Sequence, residues 1–141
     1  MTIITVIFDS YILSVIFKER ALLVFPGKDS KKLDAFTEAC GGFQFEKIVF
    51  VDSTWHQCYK ICQDERMVSL PQVIIDSRET LFWRYQTGKP KEYLSTIEAV
   101  YYLCVDFHAT VLQKRYEGEY DNLLFLFKFM FEKIHELHAD I

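Results

Sequence analysis

Asp52-Ser53-Thr54-Trp55 follows directly on the apolar run KIVFV (47–51). An acid at the carboxyl end of a strand lies where open α/β sheets present their ligands. Two plainer readings stand beside that one: Asp52 can cap the following helix, and Trp55 can be core, as most tryptophans on apolar helix faces are. A second constellation is Ser95-Thr96-Ile97-Glu98. It has the spacing of a capping box, in which the serine hydroxyl satisfies a first-turn amide and the glutamate reaches back to the N-cap amide. That explains the three-residue spacing without a ligand, yet a helix start also offers amides to an anion, with Thr96 the first-turn residue best placed to touch it. A third is Arg84, Lys89 and Lys91 among Phe82, Trp83, Tyr85 and Tyr93. Such a loop can contact phosphates, or Arg84 can clamp a carboxylate bidentately. Trp83 or Tyr85 can stack on an unpaired base; a solvated charged loop is the plain alternative.

Cys58 and Cys62 would share a helix face, but no histidine or second cysteine pair completes a set of four metal ligands. With Cys40 and Cys104 they are expected to be buried reduced thiols in a reducing compartment. His56, His108, His135 and His138 show no metal spacing, and no metal is expected.

The elements that must position these residues read as α/β. ALLVF (21–25), closed by Pro26-Gly27, KIVFV (47–51) and QVII (72–75), entered through Leu70-Pro71, are short apolar runs with the length of buried strands. Between them a helix is expected from an N-cap at Ser30 through Thr37, stopped by Gly41-Gly42, and another from Trp55 to Arg66. Strands alternating with helices predict a mainly parallel sheet with flanking helices. Residues 77–93 read as a loop. The capping box opens a long helix to about Tyr116, Gly118 breaks it, and Asp121 caps a last helix that is apolar around most of its circumference, either deeply buried or an interface.

The 141 residues are enough for one domain that buries roughly two-thirds of its unfolded surface. A half-hydrophobic composition with 13 Phe and 8 Tyr argues a packed core. The net charge of −4 lacks the basic footprint usual in nucleic-acid binders. The apolar start, residues 1–17, is interrupted by Asp9 and Ser10 and has neither a basic n-region nor a cleavage site, so neither a signal peptide nor a membrane span is expected. It reads as two short strands, or a strand and part of a helix.

Asp52-Ser53-Thr54-Trp55 has companions in a fixed order: the Pro26-Gly27 turn, Leu70-Pro71, Trp83-Arg84, Leu94-Ser95-Thr96-Ile97-Glu98-Ala99 opening a helix, and the tail Tyr120-Asp121-Asn122-Leu123-Leu124. From about residue 20 to 135 this order resembles the DTW-domain tRNA-uridine aminocarboxypropyltransferases, which are named for an Asp-x-Thr-Trp segment, and the tail is similar to their nuclear animal branch. The resemblance implies transfer of the 3-amino-3-carboxypropyl group of S-adenosylmethionine to N3 of a tRNA D-loop uridine, in the nucleus. It implies a fold related to the SPOUT methyltransferases with a knotted C-terminal half. Asp52 would be the base, with Thr54, Trp55, Leu70, Ser95, Thr96 and Glu98 binding the co-substrate, and Arg84, Lys89 and Lys91 binding tRNA; neither DNA nor membrane is an implied partner. An ordinary aspartate, with a pKa of about 3.9, sits several units below the imide, at about 1.4 kcal/mol per unit. The base role therefore asks for partial burial of Asp52 against Trp55, or for proton transfer concerted with attack.

Members of that family are generally longer. The paired cysteines and early strand of their amino-terminal part are not recognisable here, residues 1–20 match no family segment, and the insert between Phe25 and Lys47 is short. The chain accordingly reads as a truncated form, with 1–20 an atypical apolar segment and 21–141 a partial DTW domain. Two other classes stay open beside the enzyme: an inactive fragment that binds co-substrate or RNA, and an interaction module built on the last helix.

Overall fold

The computed structural model describes residues 2–6, 20–38, 42–82, 88 and 90–139, and only the backbone at 2–6, 38, 55, 138 and 139. The chain forms two compact units, residues 1–75 and 76–141. The first contains β1 (Thr2–Val6), β2 (Ala21–Val24), α1 (Ala35–Glu38), β3 (Lys47–Val51), α2 (Trp55–Cys62), α3 (Glu65–Val68) and β4 (Gln72–Val73). The second contains α4 (Thr96–Thr110), a 3-10 turn (Asp121–Leu124) and α5 (Phe125–Ala139).

The sheet has the order β1-β3-β2-β4, and every pairing is parallel. Val6 stands opposite Val51 and Ala21 opposite Lys47, so β3 lies between two parallel neighbours. Parallel strands buried on both faces read as continuous apolar runs rather than alternating ones. Leu22, Leu23, Ile48 and Val49 are accordingly fully buried. On one face Ala21, Leu23 and Val49 meet Cys62 and Met67 from α2 and α3, with Phe25, Val51, Cys58 and Leu70 packed around them.

Several expected boundaries move. β4 ends at Val73 rather than Ile75, because the backbone turns to Lys31: the Ile74 amide donates to the Lys31 carbonyl and the Lys31 amide to that of Gln72. The helix expected from Ser30 is α1, a single turn starting at Ala35, whose amide donates to the Asp34 carboxylate; the Ser30 hydroxyl instead donates to the Gly27 carbonyl. Gly27 allows a close approach, since a Cβ there would lie 2.0 Å from Gln72 Oε1. The helix expected to run from Trp55 to Arg66 is broken after Cys62, and Asp64 caps α3 by accepting the Arg66 amide. α4 stops at Thr110 instead of Tyr116, followed by Gln113 at φ 52°, a left-handed conformation that no helix interior accommodates. The apolar start supplies β1, a short strand of the kind expected there; positions 7–19 lie outside the described residues.

In the second unit Leu103, Cys104 and Phe107 of α4, Leu124 and Phe127 are buried. Arg78 forks onto Asp106, with Nη1 to Oδ2 at 3.1 Å and Nη2 to Oδ1 at 2.5 Å, and its guanidinium lies 4.7 Å from the Tyr102 ring centre. α5 is not deeply buried: Phe125, Leu126 and Leu137 are about 70% exposed. Among the described residues no helix is long and apolar enough to cross a membrane.

Candidate functional site

Because the strands are parallel, their carboxyl ends share one edge of the sheet, and Asp52 is the first residue beyond β3 on that edge. Its side chain is exposed, not partly buried against Trp55 as the base role was expected to ask. The cap of α2 belongs to Thr54, not to Asp52. Thr54 Oγ accepts the Gln57 amide at 3.4 Å, while Gln57 Oε1 accepts the Thr54 amide at 3.3 Å and the Thr54 hydroxyl at 2.9 Å. This is a reciprocal capping box written Thr-x-x-Gln. The capping duty that was one plain reading of Asp52 thus falls to Thr54.

Asp52 and Ser53 at the strand end, Gln57, Lys60 and Ile61 on α2, and Gln63 and Asp64 at its end line one open cleft of about 620 Å³. That volume lies within the range of small-molecule sites. Gln57, Lys60 and Gln63 recur every three residues, which puts them along one side of the helix. Asp64 is engaged by Arg66, whose Nε and Nη2 donate at 2.8 Å each; these bonds, with that from the Arg66 amide, hold its carboxyl at about 2. Lys60 is the cation among the cleft residues. The signal for Gln57 was in the sequence, the same three-residue spacing that marks Ser95 and Glu98. Lys60 carried no signal without the fold.

Behind this wall the hydrogen bond between Cys58 and Cys62 lowers the Cys58 thiol, with Ser53 helping, and raises that of Cys62, which burial raises further. Among the described residues no group of His, Cys, Asp and Glu is arranged to hold a metal.

The remaining expected site residues fall in three places. Trp55 opens α2, its side chain outside the described set. Leu70 packs against the core cluster of the first unit. Ser95, Thr96 and Glu98 form the start of α4 in the second unit, where Glu98 is fully buried. Glu98 Oε2 accepts the Ser95 amide and hydroxyl at 2.8 Å each and the Thr80 hydroxyl at 2.7 Å; Oε1 accepts the Leu81 amide at 2.6 Å. The Glu98 carboxyl thus ties residues 80–81 to the helix start. Lys91 is exposed, and its carbonyl accepts the Thr80 amide. Arg84 and Lys89, with Trp83 and Tyr85, lie outside the described residues.

The chain matches the DTW domain over residues 9–135. Among curated proteins it is similar to tRNA-uridine aminocarboxypropyltransferase 1 of Homo sapiens, 53% identical over 95 residues, which are 67% of this chain and 31% of that protein. The enzyme of the same name from Xenopus tropicalis is 54% identical over 91 residues, 64% of this chain and 31% of the relative. That from Mus musculus is 46% identical over 106 residues, 75% and 35%. The chain spans about a third of the length of these curated relatives. No solved structure matches it.

Proposed function

The chain belongs to the DTW-domain family, and on that premise we propose that it transfers the 3-amino-3-carboxypropyl group of S-adenosylmethionine to N3 of a tRNA uridine, in the D-loop. The observation that carries this reading is Asp52 on the carboxyl edge of the sheet, in a cleft, with the helix cap supplied by Thr54. The cleft is large enough for a nucleoside-sized group and contains carboxylate, amide and ammonium side chains that suit the sulfonium, amine and carboxylate of this co-substrate.

When bound, the co-substrate supplies a methylene carbon activated by the adjacent sulfonium, which departs as the neutral thioether 5′-methylthioadenosine. Asp52 accepts the N3 proton of the uridine, and the N3 lone pair forms the new C–N bond as the C–S bond breaks. The charge balances, since the sulfonium positive charge is cancelled and the proton leaves on the carboxylate. Asp52 is exposed, and proton removal is concerted with attack rather than preceding it. The cleft's main contribution is alignment of N3 with the methylene in place of the neighbouring methyl.

In the second unit the start of α4 presents the positive end of a 15-residue helix, which suits a carboxylate or phosphate at Thr96. Glu98, holding Ser95 and residues 80–81, keeps that helix start in place. Lys91, with Arg84 and Lys89, is proposed to contact tRNA phosphates, and a knotted C-terminal half is part of the same proposal. The test is nucleoside mass spectrometry of tRNA incubated with this chain and co-substrate carrying a labelled aminocarboxypropyl group. A labelled uridine adduct supports the reading. Its absence with folded chain, intact tRNA and bound co-substrate refutes it.

A further inference from the structure

We propose that Gln57 is a base-reading residue, whose side-chain amide donates a hydrogen bond to a carbonyl oxygen beside N3 of the target uracil. This rests on the reading of Asp52 as the group that meets N3–H. Thr54 fixes how Gln57 is turned: the Thr54 amide proton needs an oxygen, and Gln57 Oε1 meets it at 3.3 Å while also accepting the Thr54 hydroxyl at 2.9 Å. The two amide groups cannot face one another nitrogen to nitrogen, so the Gln57 orientation is determined by chemistry. With Oε1 held by the cap, Nε2 and its two donors are the part of the side chain left for a ligand. Gln57 is exposed and lines the cleft that also contains Asp52.

An acceptor at Asp52 and a donor at Gln57 make the complement of an imide edge. Uracil presents N3–H as a donor flanked by O2 and O4 as acceptors. Cytosine presents a lone pair at N3, which faces a carboxylate unfavourably, and an amino group at C4 that meets a donor with another donor. The capping box therefore has a second consequence: the bonds that start α2 also aim a donor at the ligand.

Gln57→Glu separates these two consequences. Glutamate at this position of a capping box still accepts the Thr54 amide, so the fold is kept, but the donor to the cleft is lost. The experiment is an NMR titration of the wild-type chain and Gln57→Glu with uridine, cytidine and adenosine, with thermal melting of both proteins. Neutral nucleosides are used so that the added charge does not act through a phosphate. Uridine binding is expected to weaken roughly tenfold in the variant, with adenosine binding and melting temperature unchanged. A cytidine affinity that is unchanged or improved assigns the bond to O4, since a glutamate accepts from the C4 amino group, and a parallel loss assigns it to O2. Uridine binding that is undetectable in the wild type, unaffected by the substitution, or reduced no more than adenosine binding overturns the proposal. A wild-type chain that binds uridine through Gln57 yet forms no adduct leaves this inference standing while refuting transfer.

Discussion

Replacing Glu98 by Gln changes one oxygen to an amide nitrogen with almost no change of volume, inside a fully buried pocket. Both carboxyl oxygens accept a backbone amide, Oε1 from Leu81 at 2.6 Å and Oε2 from Ser95 at 2.8 Å. Whichever way the Gln amide turns, its nitrogen therefore faces a backbone N–H, and one buried donor loses its acceptor. A single unsatisfied buried donor costs about 2 kcal/mol. Glu98→Ala strands both amides and the hydroxyls of Thr80 and Ser95 together, for about 4 kcal/mol. For a chain of this size about 1 kcal/mol moves the melting temperature by roughly 3–4 °C. Thermal denaturation followed by circular dichroism should then show a loss of about 6–8 °C for Glu98→Gln and about twice that for Glu98→Ala. Amide exchange should accelerate at Leu81 and Ser95 before it does in the middle of α4. A Glu98→Gln protein that melts within about 2 °C of the wild type, with both amides still protected, would refute the reasoning, because the four bonds would then not be holding the helix start.

Two further outcomes concern the ion pairs. Arg78→Met removes both bonds to Asp106 and the contact with the Tyr102 ring; with the two side chains only 26% and 19% exposed, the loss should be about 1–3 kcal/mol in chemical denaturation, and Asp106→Asn in the same chain should recover part of it. The Asp64 carboxyl, held at about 2 by Arg66 against about 3.9 in the unfolded chain, contributes stability that is present above about pH 4 and is lost as the pH falls toward 2. NMR titration of the Asp64 carboxyl should find its midpoint in that range, and the Arg66 amide should lose protection with it; a midpoint near 4 would contradict the assigned pairing.

The parts legible in the sequence were those with a local cause. KIVFV (47–51) is too short and too apolar to be anything but a buried strand, so Asp52 fell at the strand end as expected. The capping box at Ser95 and Glu98 is legible from its spacing, and the same spacing sits at Thr54 and Gln57, beside an Asp52 that competes for the cap in sequence. What was not legible depends on partners distant in sequence. β4 is cut short by Lys31, more than 40 residues earlier in the chain, and Glu98 is satisfied by Thr80 and Leu81, whose positions no periodicity reveals. The contribution of Lys60 to the cleft required the break of α2 at Gln63 and Asp64, where a continuous helix was expected. The DTW family match covers residues 9–135, so the family was readable even where element boundaries were not.

The central claim is that Asp52 removes the N3 proton and has no structural duty in capping α2. Asp52→Asn in the present chain tests it, with melting, co-substrate binding by calorimetry, and uridine adduct by mass spectrometry measured on the same preparation. The account predicts a variant that folds and binds co-substrate, with adduct formation reduced roughly 10²- to 10⁴-fold relative to the wild type. Adduct formed at the wild-type rate, or loss of folding in the variant, would contradict it.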